Sequence, residues 1–246
     1  MHERLNQSAE KFIKGLKSGS TDGKKPLVLL GDSITESYLG TSYGVPQNRF
    51  ADVPSVLEEV YGDYYPLILA IAGDQTQHLL WRIQNGNLPQ SLANNPDAIY
   101  VILIGTNNLS SGVEVSLALE GVETVTRFVA EATKGKVLSV ELLPRGDSHR
   151  LKQICPSRCD EEGQPLQSFM PDVNTVNEGL RTHVAEGYEG RIFSINCSDA
   201  FLPTSGRKST GEEVNVDLMP DRLHPNKNGH LALAMCILEY GMLGKS

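Results

Sequence analysis

Five short runs of apolar residues, rich in β-branched and aliphatic side chains, recur along the chain. They are Pro26–Leu30, Pro66–Ile71, Ala98–Ile104, Lys136–Leu143 and Arg191–Ile195. The runs are nearly continuous and do not alternate between apolar and polar positions. That pattern is typical of strands in a parallel sheet whose two faces are both covered by helices. The sequence therefore predicts five buried parallel strands.

Segments with helical spacing of apolar residues lie between and after these runs. The predicted helices are Val53–Tyr61, Gln77–Gln84, Val113–Lys134, Pro171–Glu186 and Lys227–Leu243. Alternation of strands with helices indicates an α/β fold, with helices packed on both faces of one parallel sheet in a three-layer α/β/α sandwich. A chain of 246 residues fits one such domain, and we predict a single domain over residues 1–246.

One long stretch, residues 145–171, has no clear periodicity and is rich in Gly, Pro, Ser and charged residues. Irregular stretches of this length are usually functional loops or disordered segments. We interpret it as a loop insertion at the carboxyl end of the fourth predicted strand and not as a domain boundary.

The charge balance narrows the range of partners. The chain has 22 Lys and Arg against 30 Asp and Glu, a formal net charge of −8, and no basic stripe. Nucleic acid is not an expected partner, because a negative surface repels the phosphate backbone. No apolar run approaches the ~20 residues of a transmembrane helix. The polar start, 1–25, lacks the apolar core of a signal peptide, which favours a cytoplasmic protein.

The four cysteines give no recognisable framework. Cys155 and Cys159 form a C-x3-C pair in the polar insertion, a spacing not typical of zinc sites, and a local disulfide there requires an oxidising compartment. Cys236 falls in an apolar helical run, so we predict a small core residue there. Cys197 stands apart from all three.

A serine follows the first predicted strand directly, in the sequence Gly31-Asp32-Ser33. A residue on the turn that leaves a parallel strand faces the crevice where such sheets bind ligands. Gly31 is expected to permit the sharp turn. By itself the tripeptide is equally consistent with Asp32 or Ser33 capping the next helix.

An acid and a histidine lie close together before the last predicted helix, at Asp221 and His224. At this spacing the carboxylate can fix the tautomer of the imidazole, and the other ring nitrogen is then free to accept a proton from a serine. Asp217 is a competing candidate for the acid, although it is seven residues from His224.

Two further strand ends carry hydrogen-bond donors. Gly73 follows the second predicted strand and offers a backbone N–H, while Asn107 follows the third and offers a side-chain amide. Each alone is an ordinary turn residue. Together with Ser33 at the same edge of the sheet, they are the parts of an oxyanion hole.

Ser42 lies in Gly40-Thr41-Ser42-Tyr43-Gly44, which matches the G-x-S-x-G pattern of α/β-hydrolases. That motif needs a strand before it and a helix after it. The segment before Ser42 is too short and polar for a buried strand, and Pro46 follows, so we do not expect Ser42 to be the nucleophile.

The four blocks around Ser33, Gly73, Asn107 and His224, in this order, resemble the signature blocks of the SGNH/GDSL hydrolases. A longer block, residues 73–86, resembles the catalytic subunits of intracellular platelet-activating factor acetylhydrolase, as do residues 101–108 and 142–146. The resemblance implies a flavodoxin-like sheet with strand order 2-1-3-4-5, which has Ser33 and Asn107 on either side of its switch point. Asn108 replaces an aspartate common in the wider family, although the acetylhydrolase subunits resemble this sequence there. Gln77 and Ala72 stand where those subunits typically have arginine and glycine, and residues 145–171 have no counterpart in them.

The sequence thus predicts a serine ester hydrolase that needs no cofactor and no metal. Ser33, Asp221 and His224 are the predicted triad, and Ser33, Gly73 and Asn107 the predicted oxyanion hole. The resemblance favours short-acyl esters of the acetyl type, with a lipid or an acetylated sugar as the small-molecule substrate. A carbohydrate O-acetylesterase is the first alternative, and a catalytically silent partner subunit is an alternative of another class. A homodimer is compatible with the sequence.

Overall fold

The computed structural model of the chain describes residues 1–19, 21, 23–155, 158–183, 190–203 and 213–242. Its centre is a five-stranded parallel sheet, and a two-stranded antiparallel hairpin follows the first strand. In chain order the strands are β1 Lys25–Gly31, β2 Thr41–Ser42, β3 Val45–Pro46, β4 Tyr64–Ala70, β5 Ile99–Leu103, β6 Lys136–Val140 and β7 Ile192–Ile195.

The large sheet has the order β4-β1-β5-β6-β7. Counting only its five strands, this is the predicted order 2-1-3-4-5, which is confirmed. Gly31, at the end of β1, lies opposite Ala70 of β4 and Leu103 of β5. The carboxyl ends of β4, β1 and β5 are therefore level, and the loops that follow them leave from one edge of the sheet.

Ten α-helices flank the sheet or lie in its connections. They are α1 His2–Lys17, α2 Ser33–Glu36, α3 Ser55–Tyr61, α4 Thr76–Arg82, α5 Gln90–Ala93, α6 Thr106–Ser110, α7 Val115–Ala132, α8 Leu151–Ile154, α9 Met170–His183 and α10 Lys227–Cys236. A π-helical turn continues each of α4 and α10, over Ile83–Asn87 and Ile237–Met242. Along the described ranges, no helix combines the length and the apolar character that crossing a membrane requires.

The predicted elements are present, with shifted ends. The predicted fourth strand extends to Leu143, but β6 ends at Val140 because the Asn177 side chain binds both backbone groups of Leu142, at 2.7 and 2.9 Å. The last residues of two predicted helices, Val184–Glu186 and Leu243, lie outside the described residues.

The hydrophobic core consists of two clusters, one on each face of the sheet. Along β1, Val28 and Leu30 belong to one cluster, with residues of α1, α4, α7 and α9. Leu27 and Leu29 belong to the other, with residues of α3 and α10. Because successive side chains point to opposite faces and both faces are covered, the strand sequence is apolar throughout.

All four cysteines form disulfides, Cys155–Cys159 and Cys197–Cys236. The prediction that Cys236 is a small core residue is therefore wrong. Cys236 is the last residue of α10, and its bond ties that helix to the segment after β7. The apolar helical run did not reveal this bond, because its partner is 39 residues away.

The insertion, residues 145–171, is more ordered than predicted. Ser148–Arg150 form one 3-10 turn that runs into α8. Leu151 and Ile154 of α8 are buried in the first core cluster, which anchors the segment to the body of the fold. Arg158 forms an ion pair with Asp172 of α9 at 2.7 Å. The described part of the insertion therefore packs on the sheet domain at several points.

Candidate active site

Ser33 is the first residue of α2 and lies directly beyond the end of β1. The turn that leads to it needs glycine at position 31 for packing reasons. Gly31 is not among the residues with a left-handed φ, but a Cβ there would lie 2.5 Å from the carbonyl oxygen of Leu103 and closer still to the Thr35 side chain. β1, β5 and α2 can therefore approach this closely only at a glycine.

Capping and contact with the histidine are divided between two neighbouring residues. Asp32 is the N-cap of α2 and accepts a hydrogen bond from the Ile34 N–H at 3.0 Å. Ser33 Oγ–H donates to His224 Nε2 at 2.9 Å. The capping interpretation of the tripeptide thus applies to Asp32, and Ser33 is left to contact the histidine.

Asp32 is fully buried, and its Oδ2 has no hydrogen-bond partner among the described residues. Burial raises the pKa of Asp32 to about 7, because desolvation of the carboxylate outweighs the hydrogen bond from Ile34 and the charge of His224. The residue beneath Ser33 is therefore protonated over much of the acidic range.

His224 is held by the loop before α10. Its Nδ1–H donates to Asp221 Oδ2 at 2.7 Å, which leaves Nε2 as the acceptor for Ser33. Between them, Arg222 has a left-handed φ of 65°, and its carbonyl accepts a hydrogen bond from Gly146 N–H at 2.9 Å. A strained backbone at a loop residue is typical of functional sites, where the surrounding contacts hold it in place.

Asp221 accepts four hydrogen bonds. Oδ1 accepts from the backbone N–H groups of Leu223 and His224, at 3.1 and 2.7 Å, while Oδ2 accepts from His224 and from Arg49 at 2.8 Å. Burial by itself would raise the pKa of Asp221. The hydrogen bonds and charge of His224, together with the Leu223 N–H, outweigh it and hold the pKa well below its usual range. It is thus Asp221, and not Asp217, whose carboxylate contacts His224.

Gly73 and Asn107 line the same cleft as Ser33 and His224. Gly73 has a left-handed φ of 81°, and a Cβ there would lie 2.8 Å from Tyr43 Oη, so glycine is required at this position. The Asn107 amide donates one hydrogen to the carbonyl oxygen of Asp74 at 2.9 Å. An amide carries two hydrogens, so the second remains available to a ligand.

Glu36 was not singled out from the sequence, although its carboxylate joins two loops of the site. It is completely buried and accepts from Thr41 Oγ1 and Gly44 N–H through Oε1, at 2.8 and 2.6 Å. Through Oε2 it accepts from Tyr43 N–H and Ala72 N–H, at 3.1 and 2.6 Å. One side chain therefore fixes the hairpin β2–β3 and the Ala72-Gly73 turn relative to each other.

A buried ion pair lies beneath Asn107. Arg82 donates to Asp74 Oδ2 through Nε at 2.7 Å and through Nη2 at 2.6 Å, and to Asn87 Oδ1 at 2.7 Å. Desolvation raises the pKa of Asp74 in spite of this pair. The pair holds the backbone that orients the Asn107 amide. The only sequence signal for Arg82 was its place in the block that resembles the acetylhydrolase subunits.

Arg145 fixes the other side of the Asn107 loop. It is fully buried, binds Asp147 through two nitrogens at 2.5 and 2.8 Å, and donates to the Thr106 carbonyl at 2.8 Å. Its guanidinium stacks on Phe169, 4.4 Å from the ring centre. The beginning of the insertion is therefore part of the wall of the site.

The cleft that these residues enclose has a volume of about 210 Å³. Ser42 also lines it, but from the short hairpin and not from a strand–turn–helix, as expected. In the described ranges, no group of three or more His, Cys, Asp or Glu side chains is arranged to hold a metal ion.

Hydrogen bonds connect a serine, a histidine and an aspartate at the carboxyl edge of the parallel sheet of this α/β/α fold. This arrangement is typical of one class of hydrolytic enzymes. The chain belongs to the GDSL-like Lipase/Acylhydrolase family, whose model matches residues 29–232. Over 148 residues it is 30% identical to platelet-activating factor acetylhydrolase IB subunit alpha2 of Rattus norvegicus, covering 59% of this chain and 59% of that protein. The chain thus covers less than two thirds of that relative.

Two further likenesses extend over more of the chain. It is 28% identical over 212 residues to platelet-activating factor acetylhydrolase IB subunit alpha1 of Pongo abelii, covering 86% of this chain and 73% of that protein. The fold is similar to the crystal structure of an acetyl xylan esterase, with a TM-score of 0.59 and 17% identity, covering 88% of this chain and 99% of the other. The family model thus places the chain among the GDSL-like lipases and acylhydrolases.

Proposed function

We propose that this chain hydrolyses short-acyl esters, acetyl esters above all, with Ser33 as nucleophile, His224 as general base and Asp221 as the acid that orients His224. The observation that carries the proposal is the unbroken line of hydrogen bonds, 2.7 Å from Asp221 Oδ2 to His224 Nδ1 and 2.9 Å from His224 Nε2 to Ser33 Oγ. Both distances lie within the range in which a base can take a proton from its nucleophile.

In the first half of the reaction, Ser33 Oγ attacks the ester carbonyl carbon as its proton passes to His224 Nε2. Asp221 stabilises the imidazolium that forms. The carbonyl oxygen becomes an oxyanion, and we assign its stabilisation to the backbone N–H groups of Ser33 and Gly73 and the free hydrogen of the Asn107 amide.

The imidazolium then donates its proton to the oxygen of the leaving alcohol, which departs and leaves an acyl ester on Ser33. Water attacks this ester and gives its proton to His224, so that the acid is released and Ser33 regains its proton. Every proton transfer uses the same ring nitrogen, so the leaving alcohol must lie beside His224.

The size of the cleft supports a short acyl group. Its volume is about 210 Å³. Pockets that enclose drug-sized ligands measure roughly 300–1,000 Å³. An acetyl group fits such a site, whereas a long acyl chain would have to displace packed side chains.

A polar alcohol such as a sugar is the second candidate. Most of the side chains around Ser33 are polar, among them Ser42, Asn107 and Ser110, and Tyr43 presents an exposed ring at the rim. Hydrogen-bonding groups beside an aromatic ring favour an acetylated carbohydrate over a lipid. Among the relatives, one solved structure is named an acetyl xylan esterase and the curated proteins are named platelet-activating factor acetylhydrolase subunits.

The test is active-site labelling with a fluorophosphonate probe, which reacts only with an activated serine. We expect one label on the wild type and on Ser42→Ala, and none on Ser33→Ala. Ser42 is the matched control, because it lines the same cleft without a hydrogen bond to His224.

Two results would count against the proposal. A label that persists in Ser33→Ala and disappears in Ser42→Ala would transfer the role to Ser42. Absence of any label on a folded wild type, together with no hydrolysis of 4-nitrophenyl acetate, would favour the catalytically silent subunit.

A further inference from the structure

Three arginines line the cleft around Ser33, and they differ in what they contact. Arg145 is buried and bound to Asp147, while Arg49 is half-exposed and uses one guanidinium nitrogen on Asp221. Arg150 is exposed to the cleft, and no carboxylate among the described residues pairs with it. Its charge is therefore available to a ligand.

The structure holds the backbone of Arg150 in place on both sides. Its N–H donates to the Asp147 carbonyl at 3.1 Å, and the Asp147 carboxylate is fixed by Arg145. On the other side, Leu151 and Ile154 are buried in the core. The side chain of Arg150 therefore starts from a fixed point of the backbone at the wall of the cleft.

The wall of the cleft contains no carboxylate within the described ranges. Asp32, next to Ser33, is fully buried, and its pKa of about 7 keeps it largely neutral below that pH. Four other acids around the site are engaged by the groups described above. Glu36 is bound by three backbone N–H groups and a hydroxyl, Asp74 by Arg82, Asp147 by Arg145, and Asp221 by His224 and Arg49. An anionic ligand would thus meet an unneutralised cation, on a chain whose net charge of −8 otherwise repels anions.

The connections of the insertion indicate which part of an ester Arg150 would meet. Gly146 N–H binds the carbonyl of Arg222, in the loop that carries Asp221 and His224. The leaving alcohol must lie beside His224 to receive its proton. Arg49, from the 3-10 turn Asn48–Phe50, binds Asp221 of this loop and presents its remaining nitrogens from a side chain that is 50% exposed.

We propose that Arg150 selects esters whose alcohol carries an anionic group, a phosphate or a carboxylate, and that Arg49 assists it. This inference rests on the proposed function, because it assigns the alcohol side of the same cleft. Guanidinium groups bind both kinds of anion through two parallel N–H donors. The cleft would thus select esters by a negative charge on the alcohol as well as by a short acyl group.

The first experiment compares kcat/KM for four acetyl esters: 1-acetylglycerol 3-phosphate, 3-acetoxypropionate, neutral 1-acetylglycerol and cationic acetylcholine. We expect the wild type to prefer at least one anionic ester over 1-acetylglycerol by about fivefold, the upper end of the effect of one solvent-accessible ion pair, with a smaller preference at high salt. Comparison of 1-acetylglycerol 3-phosphate with 3-acetoxypropionate shows whether the site prefers a phosphate or a carboxylate. A wild type that prefers the neutral or the cationic ester would overturn the inference.

Arg150→Gln should abolish the preference, measured as the ratio of kcat/KM for the anionic ester to kcat/KM for 1-acetylglycerol, because the charge acts only on an anion. Arg150→Lys should retain part of the preference. Lys152→Gln is the matched control, since it removes the same charge from an exposed residue of α8 that does not line the cleft. An equal loss of preference in Lys152→Gln would show a general surface effect and refute a site at Arg150.

A binding measurement separates this inference from the proposed function. Glycerol 3-phosphate is titrated calorimetrically into Ser33→Ala and into Ser33→Ala/Arg150→Gln. We expect saturable binding to the first and a loss of about fivefold or more in affinity in the second. Equal affinities would refute the role of Arg150. Binding that depends on Arg150 in a chain whose wild type hydrolyses no ester would refute the proposed function and leave the anion site standing.

Discussion

Replacement of Asp221 by Asn is the most direct test of how the histidine is oriented. The carboxylate accepts four hydrogen bonds, two at each oxygen. An amide offers one oxygen and one NH2 group, so it can satisfy only one of the two pairs. In either orientation of the amide in Asp221→Asn, its NH2 group faces N–H groups that had donated to the carboxylate.

If the amide oxygen stays on the backbone N–H groups of Leu223 and His224, the NH2 group faces His224 Nδ1. The ring is then driven to the tautomer in which Nε2 carries the proton, and Nε2 cannot accept one from Ser33. If the amide turns, two backbone N–H groups lose their acceptor, at roughly 1–3 kcal/mol each. Loss of the stabilised imidazolium adds to either penalty.

We therefore expect kcat/KM for 4-nitrophenyl acetate to fall by about 10³- to 10⁴-fold, close to the loss measured when another Ser-His-Asp enzyme receives the same substitution. Circular dichroism should show a folded variant, with a melting temperature lowered only by the hydrogen bonds lost at this 40% exposed side chain. Asp217→Asn is the control and should remain within about twofold, in the range of surface substitutions. Activity of Asp221→Asn within tenfold of the wild type would refute the assignment, as would a greater loss in Asp217→Asn.

Three further predictions concern the surroundings of Ser33. Burial raises the pKa of Asp32 from 3.8 to about 7, so the folded chain keeps a proton that the unfolded chain releases. The free energy of unfolding should thus fall by about 1.4 kcal/mol per pH unit over that interval, and Asp32→Asn should remove this fall in urea titrations at about pH 5 and about pH 8. A difference between variant and wild type that is equal at both pH values would contradict this. Glu36→Gln should destabilise the fold by about 2–4 kcal/mol and lower kcat, because the amide turns a donor towards N–H groups that the carboxylate accepts from. Glu58 is exposed, so Glu58→Gln is the control and should change neither quantity. Equal effects of the two substitutions would contradict the role of Glu36. Acetyl esters should have a higher kcat/KM than butyryl esters, with octanoyl esters nearly inert, and a best rate with octanoyl esters would disprove the short acyl site.

Some of this architecture could be predicted because its signals are local. A strand covered on both faces is apolar at every position, so the five runs located β1, β4, β5, β6 and β7 to within a few residues. The ends shifted where a side chain from elsewhere took over the backbone, as Asn177 does at Leu142. Periodicity contains no information about such a partner.

The predicted site residues follow the same logic. Ser33, Gly73 and Asn107 come directly after strands, and a parallel sheet brings the carboxyl ends of its strands to one edge. Asp221 and His224 are three residues apart, so their contact needs only a turn. The order of blocks along the chain was therefore sufficient to bring these residues to one cleft.

Only the tertiary structure revealed the contacts between residues that lie far apart in the sequence and belong to no recognisable motif. Glu36 binds Ala72, Arg82 supports the loop of Asn107, and Cys197 pairs with Cys236. Arg150 reaches the cleft wall because the helix that follows it, α8, buries two side chains in the core. The polar and charged residues that precede Arg150 along the chain gave no sign of this position. A buried carboxylate or guanidinium must have a hydrogen-bond partner, but the sequence does not show which residue provides it. The sequence by itself determined the sheet and the strand ends and loop that carry the proposed site residues, while the packing of the loops decided which charged side chains contact one another around them.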